Sequence, residues 1–154
     1  MEHLEFALRV AESTAFALHS ALAVTDPLHG VITAALGAEG ALPRWFLPCG
    51  GVLLALVAAG NFSGDAAVVL ACQAYVAAWH AGGALYHLRL GHHPAAAAAP
   101  GFFVVLAFAV AALRDGPGVA TLGLAGSVAA AAVLTPLLVT VRGRPAGNAG
   151  KKKL

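Results

Sequence analysis

The chain consists of long apolar runs divided by short polar or glycine-rich links. A transmembrane helix needs about 20 mostly apolar residues, and five segments approach or reach that length. These predicted helices cover residues 6–24, 45–62, 66–88, 96–113 and 118–141. The links at 61–65 and 114–117 are so short that the helices on either side of each are predicted to run antiparallel.

The first segment is the most polar of the five, because it contains Arg9, Glu12 and His19. It is predicted to be either a span that faces the rest of the bundle or a helix on the membrane surface. Residues 25–44 form the longest link, in which residues 31–36 are predicted to form a short interfacial helix. The pattern therefore predicts four or five transmembrane helices.

The composition also points to an integral membrane protein. Of the 154 residues, 60% are hydrophobic and only 10% are charged, whereas about 25% are charged in an ordinary soluble domain. A disordered chain is excluded, because disorder needs low hydrophobicity and high charge. The scattered basic residues exclude a nucleic-acid partner. We predict an all-α bundle in the lipid bilayer, formed by residues 1–141, followed by a basic, flexible tail at 142–154.

The distribution of basic residues predicts the orientation of the bundle, since cytoplasmic loops usually carry the excess of Lys and Arg. With five spans, Arg44, Arg89, Arg142, Arg144, Lys151, Lys152 and Lys153 fall on one side, and Arg9 and Arg114 on the other. The basic residues of the tail are expected to contact anionic lipid. The final Lys-Lys-Lys-Leu resembles the dilysine pattern of the endoplasmic reticulum. The alternative location is an organellar or bacterial energy-transducing membrane.

The third segment carries Gln73, His80 and His87 at intervals of seven residues, so the three side chains share one stripe of the helix. The aromatic residues Tyr75, Trp79 and Tyr86 are predicted to point the other way, towards lipid or a partner. The stripe is expected to face the interior of the bundle or a partner. There it supplies either hydrogen bonds between helices or a ligand, proton or cofactor site.

The histidines raise the question of a haem or chlorophyll-like pigment. His80 and His87 are about 10.5 Å apart along the helix, so they cannot both ligate one metal. His19 is the candidate second ligand, because it is predicted to lie at a depth similar to that of His80. The identity of any cofactor stays open at this point.

Arg9 and Glu12 lie three residues apart on one helix face and are predicted to form an intramembrane ion pair. The alternative is a carboxylate that handles protons or substrate. Cys49 and Cys72 are predicted to be reduced and unbridged, since the antiparallel helices place them at different depths. The sequence contains no metal, hydrolase, phosphate-loop or dinucleotide motif, so catalysis is not expected.

Two short motifs resemble the DoxX-like family of small membrane proteins. They are Leu42-Pro-Arg-Trp-Phe-Leu-Pro-Cys-Gly-Gly51 and Tyr86-His-Leu-Arg-Leu-Gly91, and the similarity covers roughly residues 6–114. This chain departs from the family in having His19-Ser20 where the first helix usually ends in Gly and Lys, and in having a fifth helix. The family includes subunits of thiosulfate:quinone and other membrane redox complexes. The resemblance therefore implies a small helical bundle that works with other membrane subunits.

Two functions follow as hypotheses. The first is a non-catalytic accessory subunit or assembly factor of a larger membrane complex. The alternative is a redox- or quinone-associated protein of DoxX type, with its site along Gln73, His80 and His87. A small-molecule carrier is a third, weaker hypothesis, because the chain has no inverted repeat.

Overall fold

The computed structural model describes residues 2–36 and 43–138, and within them it contains helices and no strand. The helices are α1 (Glu2–His29), α2 (Val31–Leu36), α3 (Phe46–Gly60), α4 (Ala66–Arg89), α5 (Ala95–Asp115) and α6 (Pro117–Leu138). The predicted all-α fold is therefore confirmed. The tail residues Arg142, Arg144, Lys151, Lys152 and Lys153 lie outside the described residues.

Three helices, α4, α5 and α6, are long and apolar enough to cross a membrane. Helix α3 is apolar but has only 15 residues. Helix α1 has 28 residues, yet its buried face includes Glu5, Arg9 and Glu12. Large apolar side chains also cover the outside of the bundle, among them Leu56, Phe102, Val105 and Leu122. These features are consistent with an integral membrane protein whose outer surface meets lipid.

The link between α1 and α2 is held by one carboxylate. Helix α1 ends before Gly30, which has a φ of +66°, a conformation that glycine adopts without steric cost. Asp26 then accepts hydrogen bonds from the Thr33 hydroxyl and from the backbone N–H groups of Ile32 and Thr33. The predicted helix at 31–36 is thus confirmed.

Helix α4 lies at the centre of the bundle. It packs most extensively against α5 and α6 and also contacts α3, while α1 packs along α3 and against α5. Each of the five long helices contributes to a common apolar core. Its members are Phe16, Leu54, Val57, Cys72, Val76, Ala77, Ala107, Ala111, Ala120 and Leu124.

Two adjacent glycines let α3 fit between its neighbours. A Cβ atom at Gly50 would overlap the indole ring of Trp79 on α4. A Cβ atom at Gly51 would lie 3.0 Å from the backbone oxygen of Ser20 on α1. Small residues allow such close helix approach, so this pair sets the distance from α3 to both α1 and α4.

The two cysteines are both free, Cys49 exposed and Cys72 buried. The prediction that they are not bridged is confirmed.

Candidate functional site

A cavity of about 510 Å³ lies in the half of the bundle where α4 ends and α3 begins. Its walls are mostly alanine, glycine, leucine and aromatic side chains from α1, α3, α4, α5 and α6, with Ile32 of α2 beside them. The volume is within the usual range of small-molecule sites, about 300–1,000 Å³. Histidine, tyrosine and threonine side chains supply the polar lining. These residues are His19, Tyr75, His80, Tyr86, His87 and Thr135.

His80 is the most buried histidine of the cavity, with 4% of its surface exposed. Its ring is held between Phe16 and Phe103, at centroid distances of 5.2 and 4.7 Å. Nδ1 lies 2.9 Å from the backbone oxygen of Val76. Because a carbonyl oxygen only accepts, Nδ1 carries the hydrogen and Nε2 has a free lone pair. Nε2 is buried and has no hydrogen-bond partner in the described structure.

Two tyrosine hydroxyls are buried without a hydrogen-bond partner in the described chain, as His80 Nε2 is. Tyr75 and Tyr86 both line the cavity, and both hydroxyl groups are buried without a partner among the described residues. Burying a hydroxyl without a hydrogen bond costs about 1–3 kcal/mol by mutational data. The apolar cavity is therefore lined by three residues that each carry a buried polar atom without a partner among the described residues.

The other cavity histidines form contacts of their own. The ring of His19 on α1 lies 6.4 Å from that of His80, so the two residues do lie at similar depth, as predicted. His87 Nδ1 lies 2.9 Å from Nδ1 of His92, in the link after α4. The described residues include no group of three or more His, Cys, Asp and Glu that would hold a metal ion. His80 remains the residue best placed to ligate a pigment, through Nε2.

The polar stripe of α4 is divided between two places rather than lining one site. Gln73 is fully buried but does not line the cavity. Its Nε2 donates to Glu12 Oε2 at 2.7 Å and to Asn61 Oδ1 at 2.9 Å. Gln73 thus belongs to a polar cluster at the opposite end of the bundle, which we call the Glu12 cluster. Its members are Glu5, Arg9, Glu12, Ser13, Asn61, Gln73 and Arg114.

The predicted ion pair between Arg9 and Glu12 is wrong. Arg9 pairs instead with Glu5, one helical turn earlier, through Nε and Nη2 at 2.8 and 2.9 Å. Its Nη1 donates to the backbone oxygen of Asn61 at the end of α3. The i,i+4 partner wins because the planar guanidinium engages both carboxylate oxygens of Glu5 and still reaches that carbonyl.

The predicted orientation of the aromatic residues is also wrong. Tyr86 is buried, with 5% of its surface exposed, and Tyr75 and Trp79 pack against the core. Trp79 stacks on Phe46 of α3 at 5.3 Å. Because α4 is central, protein covers its aromatic side as well as its polar stripe. The aromatic residues therefore form walls of the cavity and do not point away from it.

Comparison with known proteins yields no relative. No protein-family model, curated protein or solved structure matches this chain. The DoxX-like resemblance therefore stays a prediction from the sequence.

Several residues of both sites are not predicted by the sequence patterns. Asn61 was placed in a link, although it is fully buried and joins α1 to α4. From the sequence, Arg114 is predicted only as a basic residue on one side of the membrane, and Glu5 has no predicted role. The i,i+4 spacing of Glu5 and Arg9 was a usable signal. Nothing in the sequence pointed to Arg114 or Asn61, because their contacts cross between helices.

Proposed function

We propose that this protein binds a lipophilic molecule with a hydroxyl-bearing ring, of the quinol type, in the cavity beside His80. The observation that carries the proposal is the apolar cavity together with three of its lining residues, His80, Tyr75 and Tyr86, whose Nε2 atom and hydroxyls are buried without a partner in the described structure. A ligand that supplies hydrogen bonds to these atoms would recover the cost of burying them. This proposal is a form of the quinone-associated hypothesis. It keeps His80 in the site and replaces Gln73 with Tyr75 and Tyr86.

The polar atoms restrict the chemistry of the ligand. His80 Nε2 only accepts, so the ligand must present an O–H or N–H group to it. A tyrosine hydroxyl both donates and accepts, so Tyr75 and Tyr86 can serve a second ligand oxygen. No Asp, Glu, Lys or Arg is among the described residues that line the cavity, which favours a neutral molecule. A quinol has two hydroxyls, whereas the oxidised quinone has only acceptor oxygens, so the reduced form fits His80 better.

Replacing His80 with Phe tests this proposal, because Phe keeps a ring between Phe16 and Phe103 and removes Nε2. Binding of a short-chain quinol is measured by quenching of tryptophan fluorescence in a Trp45→Phe background, where the cavity residue Trp79 is the only tryptophan. We expect about tenfold weaker binding in the variant, corresponding to one hydrogen bond of about 1.4 kcal/mol. The wild type should bind the quinol more tightly than the quinone.

The control is His3→Gln, since His3 is exposed on α1 far along the chain from the cavity residues. It should leave quinol affinity unchanged. Equal affinity of wild type and His80→Phe would refute the proposal. A visible absorption band in the purified protein that disappears in His80→Phe would instead identify a haem or pigment ligated at Nε2.

The accessory-subunit or assembly-factor hypothesis is the second candidate, and α3 is the observation that favours it. Its 15 residues span about 22 Å, less than the roughly 30 Å of the hydrocarbon core. Its outer side chains Val52, Leu53 and Leu56 are exposed and apolar. A short span can be accommodated by association with another membrane protein. Co-purification in mild detergent, lost when Leu56 is changed to Gln, would support a partner there.

We further propose five spans, α1 and α3 to α6, with the C-terminus on the side of Arg44 and Arg89. The seven-to-two division of basic residues supports this orientation. Single cysteines placed at Gly64 and at His93 should react with a membrane-impermeant thiol reagent from opposite sides. Labelling of both from the same side would contradict the topology.

A dilysine-type tail would locate the protein to the endoplasmic reticulum, and a quinol site would suit an energy-transducing membrane.

A further inference from the structure

Glu12 is the most deeply buried carboxylate of the described chain, with no exposed surface. Its Oε2 accepts hydrogen bonds from Asn61 Nδ2 at 2.8 Å and from Gln73 Nε2 at 2.7 Å. Its other oxygen, Oε1, is buried and has no partner in residues 2–36 and 43–138. The two oxygens of this carboxyl group are therefore in different surroundings.

No basic side chain compensates the charge of Glu12 within the described residues. Arg9 is engaged by Glu5 and by the backbone of Asn61. Arg114, from α5, also approaches Glu5, at 3.5 Å. The other buried carboxylates differ in this respect, because Glu5 has these arginines and Asp26 has His29 at 3.9 Å. Among the buried carboxylates that the structure describes, Glu12 alone has no basic group within 4 Å.

An unpaired carboxylate in an apolar interior is costly, so it takes up a cation or becomes neutral. A metal ion needs several oxygen ligands. Here two amide N–H groups already point at Oε2, and their partial positive charge repels a metal ion. A carboxylic acid fits the same surroundings, since its carbonyl oxygen accepts both N–H bonds and its second oxygen carries the hydrogen.

We propose that Glu12 is a binding site for one exchangeable proton. The proton is held on Oε1, and Oε2 is the carbonyl oxygen that accepts from Asn61 and Gln73. The proton is exchanged with water at the end of the bundle closed by the link 61–65, whose residues are exposed from Phe62 onwards except for a half-buried Ser63. This proposal does not depend on the cavity ligand.

The ionisable groups around Glu12 come from three helices. Glu5 and Arg9 lie on α1, and Arg114 lies on α5. Helix α4 contributes the thiol of Cys72, which is within electrostatic range of Glu12. Helix α3 contributes only the neutral side chain of Asn61. Glu5 offsets only one of the two arginine charges, but neither arginine lies within 4 Å of Glu12, so the proposed proton uptake involves one carboxyl group.

Infrared spectroscopy of the full chain in lipid nanodiscs tests the site. At neutral pH the wild type should show the C=O stretching band of a protonated carboxylic acid, and the band should shift in D₂O. We expect Glu12→Gln to lose this band completely. The control is Glu2→Gln, in which the band should persist, because Glu2 is exposed on the same helix and is not part of the Glu12 cluster.

Two further measurements keep the outcome unambiguous. Glu12→Gln retains a carbonyl oxygen for Asn61 and Gln73, so its thermal unfolding should resemble that of the wild type if Glu12 is neutral. Addition of NaCl should leave the band in place. Absence of a protonated carboxyl band at neutral pH would overturn the proposal. It would also be overturned by a band that survives in Glu12→Gln, or by one that NaCl removes.

Discussion

Replacing Arg9 with Met should lower the free energy of unfolding by about 3–5 kcal/mol, the usual cost of breaking a buried ion pair by removing one partner. Arg9 and Glu5 are 8% and 6% exposed. Without the guanidinium, Glu5 keeps only Arg114 at 3.5 Å, and the backbone oxygen of Asn61 loses its donor. The measurement is unfolding in mixed detergent micelles, followed by circular dichroism.

A second substitution separates the lost charge pairing from lost packing. In Arg9→Met combined with Glu5→Gln the buried charge of Glu5 is removed as well, so at least half of the lost stability should return. Glu2→Gln is the surface control, since Glu2 is exposed on the same helix, and should change stability by about 0.5 kcal/mol or less. If the single and double variants are equally unstable, the pair contributes by packing and not by charge.

Replacing Phe16 with Ala should cost about 3–5 kcal/mol, the range observed when buried aromatic residues are truncated. Phe16 has no exposed surface. Its ring packs against His80 and Phe103, each at a centroid distance of 5.2 Å. The truncation leaves a void between α1, α4 and α5 that these rings can fill only by leaving their present positions.

The matched control is Phe102→Ala, because Phe102 is the neighbour of Phe103 but is 61% exposed on the outside of the bundle. It should cost about 0.5 kcal/mol or less. Comparable losses of unfolding free energy at the two positions would mean that Phe16 does not have the central packing role described here. The measurement is the same unfolding experiment as for Arg9.

Phe16 also separates the two candidate sites. Helix α1 places Glu12, Phe16 and His19 along one face, at spacings of four and three residues. Glu12 belongs to the Glu12 cluster, and His19 lines the cavity. Phe16 lies between these two residues on α1, and its ring stacks on His80. The proposed proton site and the proposed ligand site therefore occupy opposite halves of the bundle, with an apolar layer between them.

The sequence by itself determined the features that depend on neighbouring positions along the chain. The lengths of the apolar runs predicted the helices, and the polar links at 61–65 and 114–117 predicted where they end. The short helix at 31–36 followed from its position in the longest link, and the similar depth of His19 and His80 followed from the helical rise and antiparallel order. These inferences succeed because rise and periodicity are properties of one helix.

Only the tertiary structure decided which groups meet. Arg9 had two carboxylates within reach on its own helix, and the carbonyl of Asn61, brought in by α3, favours the arrangement with Glu5. Gln73 and His80 share one stripe of α4, but different side chains cover the two ends of that stripe. Gln73 therefore belongs to the Glu12 cluster, whereas His80 lines the cavity. Helical periodicity states on which side of a helix a residue lies. What covers that side depends on the packing of neighbouring helices. In this protein Gly50 and Gly51 allow the close approach of α3 to Trp79 of α4 and to the backbone of α1.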